Sequence, residues 1–267
     1  MRPKVSVIIP SYKPEKYLWE CLDAINKQDL DKSLYEVIIV LNGCKEPYES
    51  RINKHIEGFE GSWRLIQLDD GGVSNARNIG IDNAEGEFIA FIDDDDYVSD
   101  SYLKSLLKVS SIDTVGLARP LAFKDDTREI VPYALTKEFD LKSKRGVCPF
   151  YFPKRLFAGP CMKLIHRDVL GEKRFDVRFK NSEDSLYMFS ISCNIKKAAF
   201  TVPDAVYYRR YRDGSAITTK RSFWNKVSNA NRIMWEETKL FWGHFPRYNF
   251  LFYSTRLLGA IRGAIKR

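Results

Sequence analysis

Asp93, Asp94, Asp95 and Asp96 stand in a row at the end of the apolar run Phe88-Ile89-Ala90-Phe91-Ile92. Four adjacent carboxylates repel one another and do not fit inside a strand packed in a core. Just past a buried strand they point into a crevice, where a divalent cation offsets their charge. Mg2+ and Mn2+ favour such oxygens and are often shared with the phosphates of a substrate. The competing reading is a solvated acidic loop, the usual fate of a charge run. A second acidic pair, Glu183-Asp184, follows Ser182 and opens a stretch in which Leu186, Phe189, Ser190 and Cys193 share one helical face. Ser182 reads as the N-cap of that helix, and acids in its first turn suit the helix dipole. There a carboxylate either decorates the helix start or takes a proton from a substrate hydroxyl.

The elements that would carry these groups follow from the apolar pattern. Val5-Ser6-Val7-Ile8-Ile9, closed by Pro10, reads as a buried strand, as do residues 37–41, closed by Asn42-Gly43, and residues 65–68. Between them, Leu18, Cys21, Leu22 and Ile25 recur at helical spacing, and helices are expected at about 47–57 and 74–84. Strand and helix alternating at this spacing predict right-handed βαβ units and a parallel sheet covered on both faces. Ligands of such sheets bind beyond the carboxyl ends of the strands. Ser11-Tyr12, Asn42-Gly43, Asp69-Asp70 and the four aspartates should therefore meet in one crevice. The middle of the chain is less regular: residues 113–133 mix short β-like runs with turns, and 134–156 carry no clear pattern. Residues 197–202 and 206–211 read as strands and the remainder as helical.

The bulk composition narrows the class. A chain of 267 residues, 44% hydrophobic, supports one large domain with an appendage. Five cysteines are dispersed without CxxC spacing, which predicts reduced thiols and a cytoplasmic setting, and three distant histidines offer no zinc pattern. Residues 4–10 are too short for a signal-peptide core, and no apolar run is long enough to span a membrane. The net charge of +8 resides in residues 220–267, which hold ten Lys or Arg against Glu236 and Glu237; basic and acidic residues balance in the rest. There Phe250, Leu257, Leu258, Ile261 and Ile265 fall on one helical face beside Arg256, Arg262, Lys266 and Arg267. Such a helix lies on an anionic membrane, on the catalytic domain or on a second subunit of a homodimer. A nucleic-acid surface fits poorly, because the charges share the segment with large apolar residues.

Several segments in fixed order carry a resemblance: residues 5–12, Ser74-Asn75-Ala76-Arg77-Asn78-Ile79-Gly80, residues 84–96, Lys163-Leu164-Ile165-His166-Arg167, Arg174-Phe175-Asp176 and Glu183-Asp184, then residues 208–218. In these the chain resembles the family 2 inverting glycosyltransferases, over residues 4 to about 219. The resemblance implies an α/β GT-A fold, a Rossmann-like, mostly parallel sheet flanked by helices, here with a helical C-terminal extension. On this reading residues 1–219 are the catalytic domain, with a nucleotide-sugar half at about 1–98 and an acceptor half at about 99–219, and 220–267 are a basic aromatic tail.

The resemblance further implies an enzyme that moves a sugar from a nucleotide-sugar, UDP-linked in the first instance, to a hydroxyl of a glycan or lipid-linked acceptor in surface polysaccharide synthesis. That work would be done in the cytoplasm, at the inner face of the membrane. Asp93 and Asp95 match the DxD motif that binds Mn2+ or Mg2+, and Asp94 the position near the ribose. Arg77, Pro10, Ser11 and Tyr12 match the nucleotide edge, and Asp184 the base. Glu183 is assigned to acceptor or backbone contacts, and Arg210, Arg212 and Ser215 to a flap whose guanidinium groups meet the donor diphosphate. Lys163 lies in a shared segment but receives no role. One departure is Leu41-Asn42-Gly43-Cys44 where the family commonly has Asp-Asp-Gly-Ser; Asn42 can still accept from a uracil N–H, but it can also donate. That departure keeps open a non-catalytic protein of the same fold that binds nucleotide-sugar or a membrane surface.

Overall fold

The computed structural model describes residues 2–212 and 222–265. The N-terminal half alternates as expected: β1 (Val5–Ser11), α1 (Lys16–Asn26), β2 (Tyr35–Asn42), α2 (Tyr48–Ile56), β3 (Ser62–Leu68), α3 (Val73–Asn83) and β4 (Phe88–Phe91). Every residue of β1, β2 and β4 is buried, which is why these strands read as continuous apolar runs. The exception proves functional for the fold. Glu36 on β2 is buried, yet it accepts hydrogen bonds from the Ser6 hydroxyl at 2.6 Å and from the backbone N–H of Glu85 at 2.6 Å, and pairs with Arg64 at 2.5 Å. A buried carboxylate satisfied on all sides fixes where the chain enters β4.

The rest runs β5 (Tyr97–Val98), α4 (Tyr102–Val109), β6 (Thr114–Leu117), β7 (Arg119–Lys124), β8 (Ile130–Val131), α5 (Ala134–Lys142), β9 (Val147–Pro149), β10 (Lys163–His166), α6 (Arg167–Leu170), α7 (Glu183–Ile191), β11 (Lys197–Phe200), β12 (Val206–Tyr211), α8 (Phe223–Gly243) and α9 (Phe250–Ile265). Eight strands form one sheet in the order β3-β2-β1-β4-β10-β6-β11-β9. The first four are parallel, and β10 runs antiparallel to both β4 and β6. A second, four-stranded sheet, β5-β12-β7-β8, packs beside it. The sequence pattern marks β12 and the β-like runs of residues 113–133, but not their pairing into a separate sheet, since two of its strands are two residues long.

Two features place the crevice. The helix α3 lies directly on β1: a Cβ added at Gly80 would fall 2.3 Å from Ile8 Cγ2, so only glycine allows the approach that carries Arg77 to the strand ends. The C-terminal helices also join the main core, because Phe241, Tyr248, Phe252 and Tyr253 are buried in the same cluster as the sheet. Phe189 of α7 stacks on Tyr248 with centroids 4.9 Å apart. Each such buried aromatic contributes on the order of 2 kcal/mol. Phe250, Leu258 and Ile261, of the apolar face expected on a membrane, the catalytic domain or a second subunit, are exposed, whereas Phe252 and Tyr253 face inward.

Candidate active site

The strand ends meet as the topology requires. Ser11, at the end of β1, donates from its hydroxyl to Asp94 Oδ2 at 2.6 Å. Asn42, at the end of β2, donates from Nδ2 to the Ser11 carbonyl at 2.7 Å and accepts on Oδ1 from the Gly72 N–H at 2.8 Å. Pro10 and Ser11 are buried beneath this edge. Tyr12 stands above it, 55% exposed. Its ring lies against Gly43, where a Cβ would come within 2.7 Å and where φ is +93°; both facts demand glycine. The result is a flat aromatic platform open to solvent, suited to stacking on a base. Asn42 departs from its expected part. It is buried and both ends of its amide are already bonded to protein, so its observed work is to join β1, β2 and the turn before α3.

Arg77 is the hub of the crevice. Only 3% exposed, it donates from Nη2 to Asp93 Oδ1 at 2.9 Å and from Nη1 to Asp184 Oδ1, and lies 3.8 Å from Glu183 Oε1. It thereby joins the end of β4 to the start of α7. Its guanidinium sits over the Phe175 ring at 5.3 Å, and Phe175 stacks on Tyr187 at 3.8 Å. Burial works against the charge of Arg77, but Asp184 and Asp93 outweigh it and hold the group firmly protonated. The acids still outnumber the cation. Burial raises Asp184 above the ordinary carboxylate range despite Arg77, and burial together with Asp184 raises Glu183.

The four aspartates divide by environment. Burial pushes Asp94 up to about 7, with the Ser11 hydroxyl acting against the shift. Burial and the neighbouring Asp93 raise Asp95, which Arg212 meets at 3.1 Å. Asp96 is buried and accepts the Arg210 N–H at 2.8 Å, so it restrains the loop from within. Among the described residues no group of three or more His, Cys, Asp or Glu is gathered to hold an ion unaided. Asp93 and Asp95 nevertheless fit a divalent cation completed by donor phosphates, the usual way Mg2+ is held by one or two carboxylates. Asp95, pushed upward by burial and by the charge of Asp93, is relieved by such a cation.

The expected flap is corrected in part. Arg210 lies on β12, whose ladder with β7 continues through Tyr211, and its side chain is 1% exposed. It donates to Asp125 at 2.5 Å, to Glu20, and to the Asp95 carbonyl at 2.7 Å. These bonds make it part of the scaffold and take it out of reach of a diphosphate. Arg212, just past the strand, does face the aspartates. Ser215 lies outside the described residues. Ser182 also differs from its expected role: it precedes α7 at φ +64° and makes no side-chain cap, its hydroxyl instead accepting from Asn229 at 3.2 Å.

Two further groups shape the site. Lys163 is buried and donates to the carbonyls of Gly159 and Cys161 at 2.6 and 2.9 Å, and burial lowers it to about 7. The loop it holds lies against Asp184, since a Cβ at Gly159 would sit 3.7 Å from Asp184 Oδ2. Its sequence signals are its place in a segment shared with the family and a lysine beside the apolar Leu164-Ile165. On α9, Arg256 donates to Glu237 at 2.8 Å, to the Ser185 carbonyl at 2.7 Å and to the Ser185 hydroxyl at 2.6 Å. The tail thus grips the residue beside Asp184, a contact without any sequence signal.

With this geometry in hand, comparison with known proteins is informative. The sequence profile of Glycosyl transferase family 2 matches residues 6–172, more than half of the chain. The poly(ribitol-phosphate) β-N-acetylglucosaminyltransferase TarS of Staphylococcus aureus is 26% identical over 229 residues, covering 81% of this chain and 37% of that relative. The putative glycosyltransferase EpsH of Bacillus subtilis is 24% identical, covering 78% of this chain and 61% of EpsH. The chain therefore spans less than two thirds of these relatives' length. The crystal structure of S. aureus TarS 1-349 in complex with UDP-GlcNAc superposes with a TM-score of 0.69 at 26% identity, over 87% of this chain and 66% of that one. A mannosyltransferase from Pyrobaculum calidifontis, 18% identical, shares the fold over 99% of this chain and 73% of its own, at a TM-score of 0.66. The fold is therefore GT-A-like, with the C-terminal helices included in the match.

Proposed function

Because the chain belongs to glycosyl transferase family 2, we propose that it is a metal-dependent inverting glycosyltransferase. Its donor is a nucleotide-sugar, UDP-linked, and its acceptor a hydroxyl of a glycan or lipid-linked glycan in surface polysaccharide synthesis. The observation that carries this reading is the Arg77 bridge, which brings Asp93 of the donor edge and Asp184 together on one guanidinium. The uridine donor draws support from the TarS complex with UDP-GlcNAc, and the surface-polymer acceptor from relatives named for poly(ribitol-phosphate) and teichoic acid.

In this mechanism Tyr12 stacks on the base, Pro10 and Ser11 line its edge, Asn42 fixes the turn beneath, and Asp94 meets the ribose. A divalent cation on Asp93 and Asp95, when bound, neutralises charge on the leaving diphosphate. Arg212 adds a guanidinium on the same side. Asp184 accepts the proton of the attacking hydroxyl; its burial strengthens it as a base, while Arg77 keeps it ionised. Glu183 and the Lys163-held loop wall the acceptor side. The domain division follows: 1–98 for the donor, 99–219 for the acceptor, and 220–267 as a tail that both packs on the catalytic domain and meets a membrane. The exposed Trp224, Trp235, Trp242, Phe245, Phe250, Leu258 and Ile261 support the last point. No helix among the described residues is long and apolar enough to cross a membrane.

The test is donor consumption with UDP-GlcNAc and other nucleotide-sugars, in Mn2+ and after chelation. Metal-dependent release of UDP is expected. Tight nucleotide binding without turnover of any donor would favour the non-catalytic alternative.

A further inference from the structure

Between α7, the first half of α8 and the second half of α9 lies an open cleft of about 800 Å3 that the donor chemistry leaves unused. Its walls mix apolar residues such as Ile233 and Ala260 with polar ones. Ser182, Ser185 and Asn229 offer hydroxyl and amide groups, and Lys226, Arg232 and Arg256 offer cations. Arg256 is already spent: it is paired with the buried Glu237 and bonded to Ser185. Lys226 and Arg232 make no ion pair among the described residues. Arg232 lies 4.7 Å over the Phe179 ring. The acid acting on it from a distance, Asp176, is itself held by Arg178 at 2.5 Å. Two cations that pair with no acid among the described residues, in a cleft whose one lining acid, Glu237, is taken by Arg256, form an anion site with the amides and hydroxyls around them. A phosphate matches a guanidinium and an ammonium acting together.

The position of the cleft gives the anion a context. Ser182 and Ser185 line it, while Glu183 and Asp184 lie between them in sequence and turn toward Arg77. Cleft and base therefore share one turn of α7, a rise of about 5 Å.

We propose that this cleft binds a phosphate ester carried by the acceptor, with Lys226 and Arg232 as its cations and Asn229 as a hydrogen-bond donor, so that the hydroxyl end of the acceptor lies at Asp184. The role as acceptor site rests on the transferase reading; the anion site itself does not. Two sources supply such a group, the phosphate of a lipid-linked glycan and the backbone phosphate of a polyol-phosphate polymer.

The experiment is a calorimetric titration of the full chain, saturated with UDP so that the donor crevice is filled. The probes are sn-glycerol 3-phosphate, glycerol, and farnesyl phosphate in detergent micelles. Glycerol 3-phosphate should bind and glycerol should not. The double variant Lys226→Gln/Arg232→Gln should weaken binding about tenfold or more, with UDP affinity unchanged. The charge-keeping Lys226→Arg/Arg232→Lys should retain it. Charge-dependent binding of farnesyl phosphate alone supports the lipid source, and binding of both probes the shared group. Equal binding by the Gln double variant, or failure of the wild type to separate either phosphate from glycerol, overturns the site. Intact phosphate binding with no donor turnover would sink the transferase reading and leave the anion site standing.

Discussion

Two buried arginines organise this molecule, and they do different work. Arg210 sits between Glu20 and Asp125; Glu20 also pairs with Arg128 at 2.8 Å and Asp125 with Lys16 at 3.7 Å, so neither acid is in surplus. Burial alone would raise both acids, but Arg128 and Arg210 hold Glu20, and Arg210 holds Asp125, below their ordinary values. Arg77 faces Asp93, Glu183 and Asp184, three acids on one cation, and Asp184 and Glu183 stay above their ordinary values. The side chains of Asp93 and Asp184 are 36% and 35% exposed toward the crevice. A balanced cluster locks a scaffold. A cluster with surplus acid, open to solvent, is poised to take a proton or a cation.

The largest effect that could break this contrast comes from replacing each arginine in turn. Arg77→Met should lower donor turnover about a hundredfold or more while also costing about 3 kcal/mol of stability, because it leaves three partly buried acids without their cation. Arg210→Met should cost as much, roughly 3 kcal/mol, since it removes a buried cation from two partly buried acids, but should lower turnover only in proportion to the protein lost to unfolding. Thermal melts and donor turnover on both variants decide it. The contrast fails if the two variants lose activity equally at the same folded fraction.

Next comes pH. Asp184 must be ionised to accept a proton, and burial places its carboxyl above the ordinary range, so acidification protonates it early. Turnover should fall about tenfold per pH unit below that raised value. A rate that stays flat down to the pKa of an ordinary carboxylate would remove the surplus-acid argument.

A smaller effect is expected at the nucleotide edge. Tyr12→Ala should weaken UDP binding about tenfold by loss of stacking, with turnover at saturating donor little changed; unaltered UDP affinity would show that the platform is unused. The smallest concerns the tail. Trp242→Ser/Leu258→Ser should reduce binding to anionic vesicles several-fold, about 1 kcal/mol, and leave solution turnover intact. Point changes are needed because deleting the tail would also remove Phe252 and Tyr253 from the core.

The parts legible in sequence were those governed by one dominant force. Val5-Ser6-Val7-Ile8-Ile9, residues 37–41 and the run before Asp93 are buried on both faces, so hydropathy alone marks them, and the rule for strand ends gathers Ser11, Asn42 and the aspartates. The misread parts depend on pairing between distant residues. Hydropathy marks Phe250, Leu258 and Ile261 of α9 as one apolar face without saying what covers it, and the structure leaves them exposed. The buried side carries Arg256, which is affordable there only because Glu237, on another helix, meets it. The role of Arg210 was hidden for the same reason, its partners lying on α1 and beyond β7.

The most direct test of the account is Asp184→Asn, assayed side by side for UDP affinity and for transfer from the nucleotide-sugar. The account predicts UDP affinity within about threefold of wild type and transfer reduced by about 10³-fold. Transfer that persists at the wild-type rate would contradict it, because the acid that Arg77 brings beside the donor edge would then not be the base.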